Sequence, residues 1–300
     1  MQNLSIEIEN YLTVCRDLKG LSPLTLKAYR IDLKQFGEFM HHKDCMSKEC
    51  MTEYIDLLHK QFKPKSAKRK IACVKAFYHY LEMENFIILN PFHKIKTKYK
   101  EPVVLPKTIP ISNVESIIKY AYHQHYAATT AFQAETTLRN LLIIELLFST
   151  GMRVSEISNL KTNNIDFKSK NIYIYGKGSK ERVMCLTNER VLKLLEKYLN
   201  IRNNSEYFFV NKCGNLFSDQ SIRNMITKYA KAAGVKTHIT PHMFRHTFAT
   251  ALLDEDVNIR YIQQLLGHSS IVTTQIYTHI STNKIRQILK DKHPRNRFDI

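Results

Sequence analysis

Residues 137–151, TLRNLLIIELLFSTG, are apolar almost all the way around a helical turn. A helix of that kind cannot lie on a surface, because every side of it needs cover from another element. The run is too short to cross a bilayer, which takes about 20 apolar residues, and no other run approaches that length. It is therefore expected to be the buried centre of a domain, ended by Gly151.

The flanking sequence supplies the cover. Residues 111–123 have helical spacing, while 124–136 are small, polar and ambiguous. KNIYIYGKGSKERVMCL (170–186) alternates, turns at a Gly-rich tip and alternates again, which predicts a β-hairpin. Further helices are expected at 188–200, 219–233, 241–254 and 258–266. The tail, KIRQILKDKHPRNRFDI (284–300), pairs a short amphipathic helix with a basic end broken by proline. Together these make a domain over 108–300 that is α-rich with a small antiparallel β-sheet.

The first ninety residues predict a second, separate bundle. Residues 4–19 have helical spacing. LSPLTLKAYRIDLKQFGEFM follows, with Ser22 as N-cap and Pro23 in the first turn. Two more helices fit 47–61 and 65–84, the latter after Pro64. The fold class is thus mainly α: an N-terminal helical bundle (1–90) and the larger domain. Between them, 91–107 is basic, contains proline and has no helical period, so it is expected to be a linker.

Charge narrows the function. Lys and Arg number 45 against 27 Asp and Glu, a net +18. Such a field attracts polyanions, with nucleic acid the leading partner. A generally lysine-rich background is the plainer reading. Residues 60–75, KQFKPKSAKRKIACVK, hold seven basic residues and no acidic one. Lys63, Lys65, Lys68, Arg69 and Lys70 are the expected contacts to a DNA backbone, with a solvated helix face as the alternative. The N-terminal stretch MQNLSIEIENYL is acidic and amphipathic, unlike an export signal, so a cytoplasmic location and no membrane partner are expected. Cys15, Cys45, Cys50, Cys73, Cys185 and Cys213 form no CxxC and are expected to be reduced thiols.

TPHMFRHTFAT (240–250) brings His242, Arg245 and His246 together near a helix start capped by Thr240 and Pro241. Phe244, Phe248, Ala251 and Leu252 share the core-facing side. The histidines at i, i+4 could be structural or could hold a metal, but HExxH is incomplete and Arg245 would repel a cation. Phosphate binding fits better, since free N–H groups and the helix dipole favour an anion. In STGMRVSEI (149–157), Arg153 can fork onto phosphate oxygens with Glu156 orienting it, or the two can be a plain helix pair. Lys177 in GKGSKER (176–182) is either a solvated turn lysine or a mobile proton donor. The loop is not GxxxxGK[ST], so nucleotide hydrolysis has no support. LLGHSSIVTTQIYTHI (265–280) adds His268 and Tyr277.

Taken in order, TGMRVSEI, GKGSKER, TPHMFRHTFAT and LLGHSSIVTTQIYTH resemble the tyrosine recombinase (phage integrase) family, most closely its Xer branch. The resemblance covers the second half of the chain. The first half resembles the family's SAM-like, DNA-clamping core-binding domain more loosely. It implies a catalytic set of Arg153, Lys177, His242, Arg245, His268 and Tyr277, with Glu156 in support, His246 structural, and neither metal nor other cofactor. It also implies DNA strand exchange through a 3′-phosphotyrosyl bond to Tyr277 on double-stranded DNA with an inverted-repeat site. A homo- or hetero-tetramer on two such sites is implied, with the tail docked on a neighbouring subunit. The biological task would be integration and excision of a mobile element or Xer-type resolution of chromosome dimers. The segment 121–136 is longer than in Xer proteins, and Asn140 stands where Asp is common. A non-catalytic DNA-binding protein on the same fold is the alternative. A metal-dependent nuclease is disfavoured, because no carboxylate cluster is evident.

Overall fold

The computed structural model describes residues 4–95, 106–175, 181–267 and 289–297. The chain divides into two compact units, Met1–Val104 and Leu105–Ile300. Its architecture is mainly α-helical with one small antiparallel sheet.

The first unit is a bundle of α1 (Leu4–Asp17), α2 (Pro23–Met40), α3 (Lys48–Gln61) and α4 (Pro64–Met83). Ser22 caps α2 by accepting from the Thr25 amide, and Ser47 caps α3 from the Cys50 amide, each at 3.3 Å. Tyr11, Leu33, Phe36, Tyr54, Phe77 and Tyr78 fill the centre, each worth about 1.5–3 kcal/mol of burial. Tyr78 keeps its hydroxyl satisfied by donating to the Cys45 carbonyl at 2.6 Å. A 3-10 turn, Pro91–Lys94, closes the unit and buries Phe92 in this core. The start of the expected linker is therefore core material, and its residues 96–105 lie outside the described residues.

The second unit is wrapped around α6 (Ala131–Thr150), which α5 (Ile111–Tyr126) precedes. The ambiguous 124–136 resolves into the end of α5, a short turn and the start of α6. Thr130 caps α6 by accepting from the Gln133 amide at 3.2 Å. Every position from Asn140 to Thr150 is buried. After α6 come α7 (Val154–Ser158), β1 (Ile165–Asp166), β2 (Asn171–Tyr175), β3 (Glu181–Cys185), α8 (Glu189–Ile201), α9 (Asp219–Ala232), α10 (Pro241–Asp254) and α11 (Ile259–Leu266). The sheet runs β1-β2-β3, with Ile172 opposite both Ile165 and Met184. The hairpin was expected, but the two-residue β1 was not.

Gly151 ends α6 with φ +60°. A Cβ there would lie 2.6 Å from Phe248 Cδ1 and 2.7 Å from Leu266 Cδ2. Conformation and space both demand glycine, and the close approach brings α10 and α11 to the end of α6.

Where it is described, the tail packs against its own unit. Leu289, His293 and Arg295 are buried within their own unit. Arg295 donates to both Glu145 oxygens at 3.0–3.2 Å, and His293 Nε2 donates to the Ser149 carbonyl at 2.6 Å. Burial lowers the His293 pKa to about 4, so the ring is neutral and its Nδ1 accepts from the Arg295 amide. A carboxylate inside an apolar helix needs a cation, and the tail supplies one.

Among the described residues, no helix is long and apolar enough to cross a membrane. All six cysteines are free thiols.

Candidate active site

The close approach at Gly151 gathers two arginines around consecutive main-chain carbonyls. Arg245, on the first turns of α10 and only 3% exposed, donates from Nη1 to the Gly151 carbonyl at 2.8 Å and from Nη2 to the Leu266 carbonyl at 2.6 Å. Arg153, the residue before α7, donates from Nη2 to the next carbonyl, Gly267, at 3.4 Å. Its side chain is 40% exposed. Each guanidinium spends one N–H of each terminal nitrogen on protein acceptors. The second N–H of each, with Nε–H, has no acceptor among the described residues.

Glu156 sets the orientation of Arg153. One carboxylate oxygen accepts from the Arg153 amide at 2.7 Å and the other from Nη1 at 2.8 Å, so Glu156 caps the start of α7 from its N3 position. Arg182 of β3 grips the same carboxylate in a fork, at 2.8 and 2.7 Å. Burial raises the Glu156 pKa, but the hydrogen bonds and charge of Arg182, then those of Arg153, outweigh it and hold it down to about 2. Burial, then the neighbouring charge of Arg153, lowers the Arg245 pKa to about 10. It stays protonated at neutral pH. Three guanidiniums face one carboxylate, leaving a positive excess held in rigid geometry. That is the chemistry of an anion site.

His242 is exposed in the first turn of α10, one turn before Arg245. Its ring meets that of His246 edge-on, with centroids 4.5 Å apart. His246 is half-buried, and burial, then the charges of His242 and Arg245, lowers its pKa. Among the described residues, no group of three His, Cys, Asp or Glu is placed to share an ion.

Arg153, Glu156 and Arg245 thus converge on one frame, with His242 on the same helix as Arg245. Lys177, His268 and Tyr277 lie outside the described residues. Their neighbours in sequence belong to the frame: Arg182 is in β3, five residues after Lys177 in sequence, and Gly267 directly precedes His268. Arg182 was not singled out from the sequence, although a signal existed. In β3, Arg182 and Met184 share a face while Val183 is on the other. A charged residue on the inward face of a strand requires a partner.

The basic run of α4 divides. Lys63, Lys65, Lys68 and Arg69 are exposed. Lys70 is buried: its ammonium donates to Asp32 at 2.9 Å and to Gln35, and lies over the Phe62 ring. Arg69 also pairs with Asp32. Lys70 is therefore a core cation and not a backbone contact. Buried Asp32 needs it there, and the helical face it shares with Ala67, Ile71 and Val74 puts it there.

Comparison with known proteins bears on both units. Residues 112–284 match the model of the phage integrase family, and residues 8–85 match the N-terminal SAM-like domain of phage integrases. The chain is 50% identical over 304 residues to a tyrosine recombinase of Agathobacter rectalis, covering 99% of each. It is 32% identical over 315 residues to tyrosine recombinase XerC of Oceanobacillus iheyensis, covering 98% of each. The solved structure of XerH site-specific recombinase bound to difH substrate, a pre-cleavage complex, shares the fold. Its TM-score is 0.69 at 22% identity, covering 96% of this chain and 87% of that one.

Proposed function

This chain belongs to the phage integrase family of tyrosine recombinases, enzymes that break and rejoin DNA, and from that premise we propose how its own residues do the work. The observation that carries the reading is the pair Arg153 and Arg245, braced by the carbonyls of Gly151, Leu266 and Gly267 with N–H groups to spare. Tyr277 attacks a phosphodiester, forms a 3′-phosphotyrosyl bond and releases a 5′-hydroxyl. The aryl ester conserves the bond, so rejoining to another strand needs no ATP. Arg153 and Arg245 hold the non-bridging oxygens as charge grows on them, and His268 adds a further donor. Lys177 protonates the departing 5′-oxygen, and His242 assists proton transfer at the tyrosine. Glu156 keeps Arg153 in place.

The substrate is a duplex with an inverted-repeat site, and the working assembly is a tetramer on two such sites in the cytoplasm. Mobile-element integration and chromosome dimer resolution are both served by this chemistry. Lys63, Lys65, Lys68 and Arg69 supply contacts to the DNA backbone. Alanine at Lys65 is expected to lower the slope of log affinity against log salt by about 0.9. Methionine at Lys70 is expected to leave that slope unchanged while lowering stability, because it leaves buried Asp32 with half-exposed Arg69 as its cation. Equal slope changes at the two positions, measured by titration at several salt concentrations, contradict this division.

Guanidiniums here take the part that metal ions play in other nucleases. Cleavage in excess EDTA is expected to match the untreated rate within about twofold. Loss in EDTA that a divalent ion restores would overturn the metal-free reading.

The deciding experiment traps protein–DNA adducts from expressing cells with denaturant and sequences the attached ends. Discrete 3′-linked ends at one short inverted repeat are expected. DNA binding without any adduct would make the chain a non-catalytic binder on the same fold.

A further inference from the structure

Arg182 has none of the proposed catalytic roles, yet like Arg153 it touches both Glu156 and Gly267. Its side chain is 11% exposed, against 40% for Arg153, so it is poorly placed to meet a phosphate. Both terminal nitrogens are committed to Glu156 in the planar fork that only arginine makes. Its aliphatic stem lies against Gly267, where a Cβ would come 3.1 Å from Arg182 Cδ. Gly267, with φ +63°, accepts from Arg153. One side chain therefore joins α7, the end of α11 and β3.

We propose that Arg182 is a positioning residue for cleavage: it locks Glu156, and through Glu156 it fixes the guanidinium of Arg153. This deepens the recombinase reading and rests on it for the cleavage step alone. Glu156 has two oxygens and four close donors, two from Arg153 and two from Arg182. Removing Arg182 frees the carboxylate to rotate, and Arg153 then loses the acceptor that aims it.

The charge state of the carboxylate gives the distinguishing readout. The charged groups facing Glu156 are Arg153, Arg182 and Arg245. A carboxyl held down to about 2 stays ionised throughout the working range, and the benefit of its charge is lost only as pH falls through that depressed value. Without Arg182, the burial that pushes the pKa up meets less opposition, so protonation begins at higher pH.

The test uses the full-length protein with Arg182→Met, Arg182→Lys and the double variant Arg182→Met/Glu156→Gln, each confirmed folded by circular dichroism. First, the guanidinium NMR signals of Arg153 are assigned by their loss in Arg153→Lys. They are expected to be distinct in the wild type and to merge with the solvent-exposed arginines in Arg182→Met. Second, adduct formation is followed on the duplex recovered by adduct capture. The rate of Arg182→Met relative to wild type is expected to fall at least about threefold between pH 7 and pH 5, with the double variant flat. Arg182→Lys, which keeps the charge but not the fork, is expected to show a smaller fall. Unchanged Arg153 signals in Arg182→Met overturn the proposal, as does a rate ratio independent of pH. If the wild type forms no adduct, the recombinase reading fails while the spectra still decide the positioning role.

Discussion

Phenylalanine at Tyr277 is expected to bind DNA as tightly as the wild type and to leave no DNA attached after denaturation. The substitution deletes one oxygen atom, the one proposed to become covalently bound to phosphorus. Hydroxyls and thiols elsewhere in the chain are not substitutes, because the arginine frame stabilises charge only at a phosphate held in one place. Adduct yield should therefore fall by at least about 10⁴-fold, the scale of removing a nucleophile that acts as part of a unit. Parallel gel-shift and denaturing-gel assays separate the two effects. An adduct that persists in the Phe variant identifies a different nucleophile and dismantles the assignment. Reduced DNA binding in proportion to the lost adduct would instead mark Tyr277 as structural.

Lysine at Arg245 carries the next largest effect, a slowing of adduct formation by about 10²–10³-fold with DNA affinity nearly preserved. Arg245 bridges the Gly151 and Leu266 carbonyls with N–H groups remaining. A single ammonium cannot reach two carbonyls and a phosphate together. Charge state sharpens the contrast. Burial draws Arg245 down to about 10, which still leaves it protonated at neutrality. A lysine in the same surroundings starts from about 10.4 and is drawn towards the neutral form. Whichever carbonyl loses its donor is buried, at a cost of about 1–3 kcal/mol, so urea unfolding should accompany the kinetics. A loss of cleavage fully explained by weaker DNA binding would remove Arg245 from the proposed transition-state clamp.

What the sequence disclosed follows from the range of its signals. Ser22–Pro23, Gly151 and Thr240–Pro241 are punctuation whose effect lies within one helical turn, and the observed helix ends agree with them. Thr130 acts in the same way, but it sits among other small polar residues that offer equal caps. The pairings that escaped are long-range. Lys70 meets Asp32 across the bundle, and Arg295 meets Glu145 from the far end of the chain. In each case one member was conspicuous as a charge within an apolar pattern, and nothing nearby named the other. At the site, Arg153, Glu156 and Arg245 were legible as candidates from residue type and local setting, whereas their roles came from resemblance. Arg182 was not singled out, because its partner Glu156 is 26 residues away and nothing beside it in the sequence points to that pairing.

The enclosure of α6 changes how a mutational scan of this protein must be interpreted. A helix with one wet side shows tolerance and intolerance alternating every three or four positions. From Asn140 to Thr150 there is no wet side, so intolerance should run unbroken into Gly151 and on to Arg153. A map of activity alone would blend this stretch with the catalytic residues beyond it and draw the active site too large. Scoring abundance alongside activity would restore the boundary: variants of α6 disappear from the cell, whereas variants of Arg153 remain present and inert.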